Sequence, residues 1–406
     1  MDFASIGAVA AARAQRDERV LWVGVMMSCS GNVPFVRAPL FEFVRGVICF
    51  CLLLICLSYV ACAQVPPGIV LDEVTASGTN YDKAEFRLWY PDKARFVRAV
   101  LVLVPGANTD GRPDVSDRLW QAFASRNEIA LIGCHFTDKP HEESFIENYA
   151  NAAQGSGQAL LDVLIAFSKR SNHPELANAP LLLWGFSAGG EFNYEFTAWK
   201  PERVVAFVVN KGGIYFSALL PAAARRVPGL LFSGEQDLES RKRIISGLFA
   251  LNRRAGALWA FAEEPNAGHV VGRSREMAAI FFDAALALRV GSARSAASYA
   301  PLTQLEERSG IVGELAKRTL QSASDSPNPT YLTAWFATER VARAWQALHR
   351  SDLTKLPKVS GRFRALDRTP DILRQPDARN RLHGAGEHQH GRRSAPDTRL
   401  SCRRHR

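Results

Sequence analysis

The amino-acid sequence predicts an α/β protein with a doubly wound, mostly parallel sheet, a helical C-terminal extension and a disordered basic tail. Three observations predict the sheet. Short apolar runs such as 181–184 lack the alternation of half-exposed strands, which is typical of strands covered on both faces. These runs alternate with amphipathic helical segments, an order that implies right-handed crossovers between parallel strands. One of the runs leads directly into a G-x-S-x-G motif and a further helix.

The N-terminal part has the layout of a secretory signal. Residues 1–44 show no clear periodicity, and Arg45 is followed by an apolar run of 14 residues, Val47 to Val60, and then by Ala61-Cys62-Ala63. A basic flank, a short apolar core and an A-x-A site are typical of a signal peptide, and 14 residues are too few for a membrane span. We therefore assign residues 1–63 to an N-terminal extension with a signal peptide. The protein is expected to be secreted or periplasmic, with no stable membrane span after processing.

Two alternatives remain open at this end. They are a retained single-pass anchor and a lipoprotein anchored at Cys62, although Tyr59 stands where lipoprotein signals prefer an aliphatic residue. Signal peptides begin close to their basic flank, so we expect the true translation start downstream, at Met27 or Val44. N-terminal sequencing of the native protein tests this hypothesis, and a mature N-terminus well before residue 60 would contradict it.

The body, residues 64–290, is predicted to alternate between strands and helices, and no internal repeat is visible. The dense apolar run 99–104 is expected to be a central strand, because both of its faces must be covered. Strands are predicted at 69–76, 84–90, 99–104, from 129, 181–184, 204–209, 230–233 and 257–262, and helices at 120–125, 157–168, from 188, 241–252 and 275–288.

Residues 291–350 are expected to form a helical extension that docks on the body. Two helical segments are predicted, one on each side of the turn-forming stretch 322–329. The second segment carries apolar residues at helical spacing, which indicates a face packed against the body: Trp335, Phe336, Val341, Ala344 and Trp345.

The tail, residues 351–406, holds 14 Lys and Arg against six Asp and Glu, and Phe363 is its one aromatic residue. Such a composition buries too little area to offset its ordering entropy, so we predict disorder. The tail supplies +8 of the net charge of +10, so the body is almost neutral. No nucleic-acid partner is expected, because a binding surface would interleave aromatic and basic residues. A basic arm for nucleic acid or anionic lipid and a frame-shifted extension are the alternatives.

The positions of the cysteines exclude a disulfide framework and a thiolate metal cluster from the body. Five of the seven precede residue 64, Cys402 lies near the end, and Cys134 alone lies in the body. One cysteine cannot form an internal disulfide framework or a thiolate metal cluster, so no structural zinc is expected. Cys134 follows an apolar run, which predicts a buried structural thiol.

Ser187 is the predicted nucleophile. It lies in Gly185-Phe186-Ser187-Ala188-Gly189, between a buried strand and a helix. In that setting G-x-S-x-G predicts a nucleophile elbow, which lifts the hydroxyl clear of the sheet at a helix N-terminus. Gly185 and Gly189 are expected because backbone and helix approach too closely there for a Cβ atom.

An acid and a histidine are expected downstream, in that order. Asp237 follows the strand 230–233 and a glycine turn, and we predict it as the acid, with Glu235 as the alternative. Between Asp237 and the tail the sequence contains His269 and His349. His269 lies on a loop between the last strand and the last helix of the body, where an imidazole can reach over the sheet edge. We therefore predict His269 as general base.

The oxyanion hole requires two backbone N–H groups. Ala188, the residue after the nucleophile, is expected to supply one from the start of the helix. The other is expected from the loop after the central strand, with Ala107 as the predicted donor and Asn108 as the alternative. No metal ligand is predicted.

The elbow motif, the Gly234-Glu235-Gln236-Asp237 loop and the Gly268-His269 loop together resemble the α/β-hydrolase superfamily. Within it, the sequence is similar to secreted bacterial esterases of the dienelactone-hydrolase and polyhydroxybutyrate-depolymerase/feruloyl-esterase type. The resemblance covers about residues 65–290. The sequence departs from it at Pro105, where many relatives have a histidine, and in its serine nucleophile, where dienelactone hydrolase has cysteine.

The resemblance implies hydrolysis of a small-molecule or polymeric carboxylic ester through an acyl-enzyme, without metal or organic cofactor. The stretches 211–226 and 108–117 are expected to line the pocket, with Trp184 or Phe186 behind it. Two alternatives remain. One is a serine peptidase of the prolyl-oligopeptidase type, for which the chain has neither room nor repeats for a propeller domain. The other is a non-catalytic scaffold that binds a wall component or a partner.

Overall fold

The computed structural model of the chain describes residues 66–143, 145–291, 301–326 and 330–349. The predicted signal peptide and translation start, the cysteines before residue 64 and the predicted disordered tail lie outside these residues. Within the described ranges, no helix combines the length and the apolar character needed to cross a bilayer.

An eight-stranded sheet forms the centre of the body. Its order is β1-β2-β4-β3-β5-β6-β7-β8. Strand β2 pairs antiparallel with β1 and β4, whereas the pairs from β4 through β3 to β8 are parallel. The eight predicted strands are confirmed, with these bounds: β1 Gly68–Thr75, β2 Lys83–Pro91, β3 Val100–Val104, β4 Ala130–Thr137, β5 Leu181–Phe186, β6 Val204–Asn210, β7 Gly229–Gly234 and β8 Trp259–Glu264.

Helices cover both faces of this sheet. Helices α2, α3 and α5 contribute to one apolar cluster, and α1, α6 and α7 contribute to the other. The doubly wound arrangement is therefore confirmed. The helices are α1 Arg118–Asn127, α2 Ser156–Arg170, α3 Ala188–Trp199, the short α4 Ala222–Arg225, α5 Glu239–Arg254, α6 Ser274–Arg289 and, in the extension, α7 Glu339–Leu348.

Strand β3 shows why the apolar runs lack alternation. Val100, Val102 and Val104 lie in the first cluster, whereas Leu101 and Leu103 lie in the second. Successive side chains of a strand point to opposite faces, and here both faces meet helices, so every position is apolar. Burying each such side chain contributes roughly 1.5–3 kcal/mol. Cys134, on β4, is a buried free thiol as predicted.

The C-terminal extension differs in part from the prediction of two helices. The described part of its first segment contains no α-helix and instead supplies two strands, β9 Ile311–Glu314 and β10 Leu320–Ser322. With β11 Thr333–Phe336 from the second segment they form a small antiparallel sheet of order β10-β9-β11. Trp335 and Phe336 therefore belong to a strand, and the helix starts only after Thr338, whose side chain caps it. All four residues of β11 are buried, so the strand shows no alternation that would distinguish it from a helix.

The described part of the extension contacts the body. The indole of Trp345 on α7 donates a hydrogen bond to the backbone oxygen of Phe261 on β8, at 2.7 Å. Gly313 on β9 leaves room for that indole, because a Cβ atom there would lie 2.6 Å from the Trp345 ring. From the body, the buried Arg253 guanidinium pairs with Glu307 at 2.6 Å.

The arrangement of the main sheet sets the position of the site. An eight-stranded sheet of this order, with β2 antiparallel to its neighbours, is the α/β-hydrolase fold. Strands β5, β7 and β8 are parallel, so the loops after them leave the same edge of the sheet. Ligands of open α/β sheets bind at this edge, and Ser187, Asp237 and His269 all lie on it.

Candidate active site

Ser187 occupies a strained turn between β5 and α3. Its backbone has φ of 54° and ψ of −124°, a conformation that costs a non-glycine residue roughly 1–3 kcal/mol. Two hydrogen bonds hold it: the N–H of Ser187 donates to the oxygen of Asn210, and the N–H of Gly190 donates to the oxygen of Ser187, both at 2.8 Å. The turn therefore presents the hydroxyl at the N-terminus of α3.

The two glycines of the motif stand where the backbones approach most closely. A Cβ atom at Gly185 would lie 2.1 Å from the oxygen of Gly189, and one at Gly189 would lie 2.1 Å from the oxygen of Val104. Real Cβ atoms do not approach backbone oxygens so closely. Glycine at both positions therefore lets α3 start directly above β3 and β5.

Ser187, His269 and Asp237 form one chain of hydrogen bonds. Nε2 of His269 lies 3.1 Å from Oγ of Ser187, and Nδ1 lies 3.1 Å from Oδ2 of Asp237. In the neutral tautomer that carries its proton on Nδ1, the imidazole donates to the carboxylate and accepts from the serine hydroxyl. The Phe186 ring lies 4.9 Å from the imidazole, centroid to centroid, and limits its movement.

Asp237 is buried and strongly hydrogen-bonded. Burial acts to raise the pKa of this carboxyl, but hydrogen bonds from His269, the Leu238 N–H and Arg241 outweigh it, so the pKa lies below its usual range. The Arg241 guanidinium is 2.5 Å from Oδ1. Glu235, the alternative acid, instead accepts a hydrogen bond from the Asn266 N–H at 2.7 Å. The imidazole therefore meets Asp237 and not Glu235.

Replacing Arg241 with glutamine is expected to destabilise the fold more at pH 7 than at pH 3. A carboxyl whose folded pKa is lowered contributes stability above its unfolded pKa, about 4, and this contribution is lost as the pH falls through the folded pKa. Without Arg241 that contribution shrinks, so the deficit in urea midpoint relative to wild type appears at pH 7 and narrows at pH 3. Arg243→Gln, which breaks an exposed pair with Glu239 on the same helix, is the control. Equal deficits of Arg241→Gln at both pH values would contradict the prediction.

Two residues beside Ser187, one on α3 and one on the loop after β3, are the candidates for the oxyanion-hole N–H groups. Ala188 is the first residue of α3, and N–H groups in a first helical turn have no intrahelical acceptor. Ala107 and Ala188 both line the cavity beside Ser187. The N–H of Asn108, the alternative donor, is already directed at the hydroxyl of Tyr149, at 3.3 Å. This leaves Ala107 as the more available donor in that loop.

The cavity beside Ser187 has a volume of about 360 Å³. Phe145, Ile214 and Ile244 give it apolar walls, whereas Glu147, Glu191 and Arg241 bring charges to it. Sites for small molecules start at about 300 Å³, so the space suits a compact acyl or aromatic group.

One wall of the cavity is fixed by two glutamates of α3. Glu191 Oε1 accepts from the N–H groups of Gly213 and Ile214, at 2.6 and 3.0 Å. One turn further, Glu195 Oε1 accepts from those of Phe216 and Ser217, at 2.9 and 2.8 Å. Burial raises the pKa of Glu191 to about 7, although the two N–H groups act to lower it. The helix that begins at the nucleophile therefore also holds the loop 213–217.

The predicted pocket walls are partly found. Gly213 and Ile214, from the stretch 211–226, line the cavity, whereas the loop 108–117 contributes none of the lining residues. Trp184 packs against Trp120 in the core and does not reach it. Sequence reasoning missed Glu191 and Arg241, although each lies four residues after a predicted site residue, in the first turn of the helix that follows it.

The other histidines in the described part of the chain do not line the cavity beside Ser187. Among the described residues, no group of three or more His, Cys, Asp and Glu side chains is placed to hold a metal ion. Four further histidines have local partners. His135 bonds to Glu85, His141 to Asp138 and His173 to Glu175, and His349 bonds to the backbone oxygen of Trp345 at the end of α7.

The sequence matches no family model and no curated protein. Solved structures are similar at low identity. A poly(3-hydroxybutyrate) depolymerase, LpqC, from Bordetella parapertussis is 16% identical, with a TM-score of 0.39 over 53% of this chain and 89% of that one. Poly(aspartic acid) hydrolase-1 from Sphingomonas sp. KT-1 is 15% identical, with a TM-score of 0.38 over 53% and 98% of the two chains.

The third similar structure is FphF, a fluorophosphonate-binding serine hydrolase from Staphylococcus aureus. It is 13% identical to this chain, with a TM-score of 0.36 over 52% of this chain and 99% of that one. At such values the likeness adds nothing to the strand order and turn geometry described above. On that order and that geometry, the chain is a protein of the α/β-hydrolase fold with a nucleophile-elbow turn at Ser187.

Proposed function

We propose that the protein is a serine hydrolase that cleaves carboxylic esters. The observation that carries the proposal is the chain of two 3.1 Å hydrogen bonds from Asp237 through His269 to Ser187, with the serine held at the N-terminus of a helix. A hydroxyl with a base in hydrogen-bond reach, and a base oriented by a third group, is the arrangement that nucleophilic catalysis needs.

The proposed reaction proceeds by acyl transfer. His269 takes the proton of Ser187 as Oγ attacks the ester carbonyl, and the N–H groups of Ala188 and Ala107 bind the oxyanion that forms. The imidazolium then gives its proton to the leaving alkoxide, and Asp237 stabilises the cation meanwhile. Water, deprotonated by His269, then attacks the acyl-enzyme. The bond between the acyl carbon and Oγ breaks, the imidazolium returns its proton to Oγ of Ser187, and the acid is released. No metal or organic cofactor takes part in these steps.

The cavity supports a compact, uncharged acyl or aryl substrate. Three apolar side chains would pack against its carbon atoms, which would remove them from water. When ionised, the carboxyl groups of Glu147 and Glu191 disfavour a further negative charge in the same space. Arg241, the cation of the lining, is already paired with Asp237.

The proposal predicts that Ser187 reacts with a fluorophosphonate and that esters are cleaved much faster than matched amides. The test uses the processed protein with p-nitrophenyl butyrate and with N-butyryl p-nitroanilide, which share one acyl group, and maps the label by mass spectrometry. Ester turnover with a label on Ser187 is the expected result. Equal turnover of the anilide would favour the peptidase alternative. Absence of both turnover and label would refute the proposal and favour a binding scaffold.

A further inference from the structure

A fully buried lysine lies beneath the candidate active site. Lys211 follows β6, and its side chain has no exposed surface. Its ammonium nitrogen donates to Oε2 of Glu264 at 2.7 Å and to Oδ1 of Asn210 at 3.3 Å. Removing two charges from water costs several kcal/mol for each ion, and apolar side chains of similar volume often serve stability as well or better. A buried pair of this kind therefore calls for an explanation other than stability.

The lysine touches the ends of three strands at once. Its N–H donates to the oxygen of Phe232 on β7 at 3.0 Å, and its carboxylate partner Glu264 ends β8. Its side-chain stem passes under Gly234, where a Cβ atom would lie 3.0 Å from Cε of Lys211 and 2.4 Å from the oxygen of Ala267. Gly234, at the start of the loop that carries Asp237, therefore lies against both the lysine side chain and the loop that carries His269.

The two partners of the lysine fix the backbone on both sides of the reacting pair. The oxygen of Asn210 accepts the Ser187 N–H at 2.8 Å, and its side-chain amide donates to the oxygen of Val271 at 2.9 Å. Oε1 of Glu264 accepts the Arg273 N–H at 2.6 Å. Val271 and Arg273 are two and four residues after His269.

Gly272 brings the histidine loop into close contact with the Glu264 carboxylate. It has φ of +60°, and a Cβ atom there would lie 2.1 Å from Oε2 of Glu264, so the loop backbone rests directly on the carboxylate. The loop can approach this closely because the residue has no side chain. Asn210, Lys211 and Glu264, here called the buried triplet, thus connect the nucleophile turn to the histidine loop, and these three residues are at most 4% exposed.

We propose that the buried triplet positions the imidazole of His269 relative to the hydroxyl of Ser187. This proposal rests on the proposed hydrolase function. The three residues of the triplet are positioning residues, and none of them lines the cavity. The backbone oxygen of Asn210 holds the Ser187 N–H, and the side chains of Asn210 and Glu264 hold the backbone at Val271 and Arg273. Lys211 fixes both of these side chains. Loss of the triplet is expected to lower kcat and to leave KM nearly unchanged, because the cavity walls are untouched.

The test separates positioning from stability with a double variant. Lys211→Met alone leaves the Glu264 carboxylate buried without its cation, so the Tm is expected to fall. Lys211→Met combined with Glu264→Gln removes both charges at nearly constant volume, so the Tm is expected to recover toward wild type. We expect kcat of the double variant to stay about 10- to 100-fold low, the scale set by small misplacements of reacting groups. The reason is that, without the ammonium group, the side chains at positions 210 and 264 are no longer fixed against the loop at Val271 and Arg273. Assays are made well below each Tm.

A second buried pair provides the matched control. Arg253→Met with Glu307→Gln neutralises the buried pair under the C-terminal extension and should leave kcat within about twofold of wild type. Recovery of kcat together with Tm in the Lys211/Glu264 double variant would overturn the proposal. If Lys211→Met does not fold, Glu264→Gln is tested instead, because it keeps an acceptor for the Arg273 N–H but loses the ion pair with Lys211. A lowered kcat with unchanged KM would then support the proposal, and a wild-type kcat would overturn it. An inactive but folded wild type would refute the hydrolase function itself, and the inference with it.

Discussion

Replacing Ser187 with alanine is expected to lower kcat for p-nitrophenyl butyrate by roughly 10⁴- to 10⁶-fold. The variant loses the attacking oxygen, so the acyl-enzyme cannot form. What remains is the activity that substrate binding and the oxyanion N–H groups can produce with water as nucleophile. The fold should persist, because the Ser187 hydroxyl bonds to the exposed His269 ring and the turn is held by backbone bonds.

The measurement is steady-state turnover beside fluorophosphonate labelling and a thermal melt. The control is Ser246→Ala, which removes a hydroxyl from the exposed face of α5 and should retain full turnover and labelling. A folded Ser187→Ala variant that still turned over the ester at a tenth of the wild-type rate would contradict the proposed mechanism. The comparison requires protein purified away from host esterases, since a small contamination would hide the loss.

Replacing Asp237 with asparagine is expected to lower kcat by about 10⁴-fold. The amide of asparagine can donate to Nδ1 of His269 and thereby favour the tautomer with its proton on Nε2. That tautomer cannot accept the Ser187 proton. The side chain also loses the charge that stabilises the imidazolium, and it leaves Arg241 without its anionic partner.

Glu235→Gln is the matched control for this variant, because Glu235 lies on the same loop two residues earlier. Its carboxylate accepts the Asn266 N–H, a bond that the glutamine oxygen can replace. Turnover within a fewfold of wild type is expected. The opposite pattern, with Glu235→Gln inactive and Asp237→Asn active, would assign the acid to the other carboxylate.

The sheet could be predicted because its strands are buried on both faces. The runs at β3 and β5 are continuous in apolar residues and short, and helical segments separate them, so length and order distinguished strand from helix. The arrangement of Ser187, Asp237 and His269 followed in turn from the strand order. Once the serine is placed after β5, the next suitable carboxylate and histidine follow β7 and β8.

The extension shows the limit of the same reasoning. Trp335 and Phe336 fall at helical spacing from Val341 and Trp345, but they pair with β9 and are fully buried. Nothing in the local sequence indicates that β9 lies beside this segment. A chain segment of four residues between turns can satisfy either pattern, and long-range pairing decides between them.

The buried charged residues could not be predicted from the sequence either. Lys211 and Glu264 are 53 residues apart, and each alone has the composition of an exposed loop end. Glu191 and Arg241 left a trace in their spacing from Ser187 and Asp237. Helices begin directly after Ser187 and two residues after Asp237, so Glu191 and Arg241 lie in first helical turns that open beside the site.

The glutamates of α3 have a consequence for how the substrate range of this fold can change during evolution. Glu191 and Glu195 hold the loop 213–217 entirely through its backbone N–H groups and one serine hydroxyl. The side chains of Ile214 and Phe216 take no part in this anchoring. Substitutions at Ile214, which lines the cavity, can therefore reshape the wall beside the nucleophile while the loop keeps its attachment. Substrate choice and the reacting groups are thus encoded by separable parts of the chain.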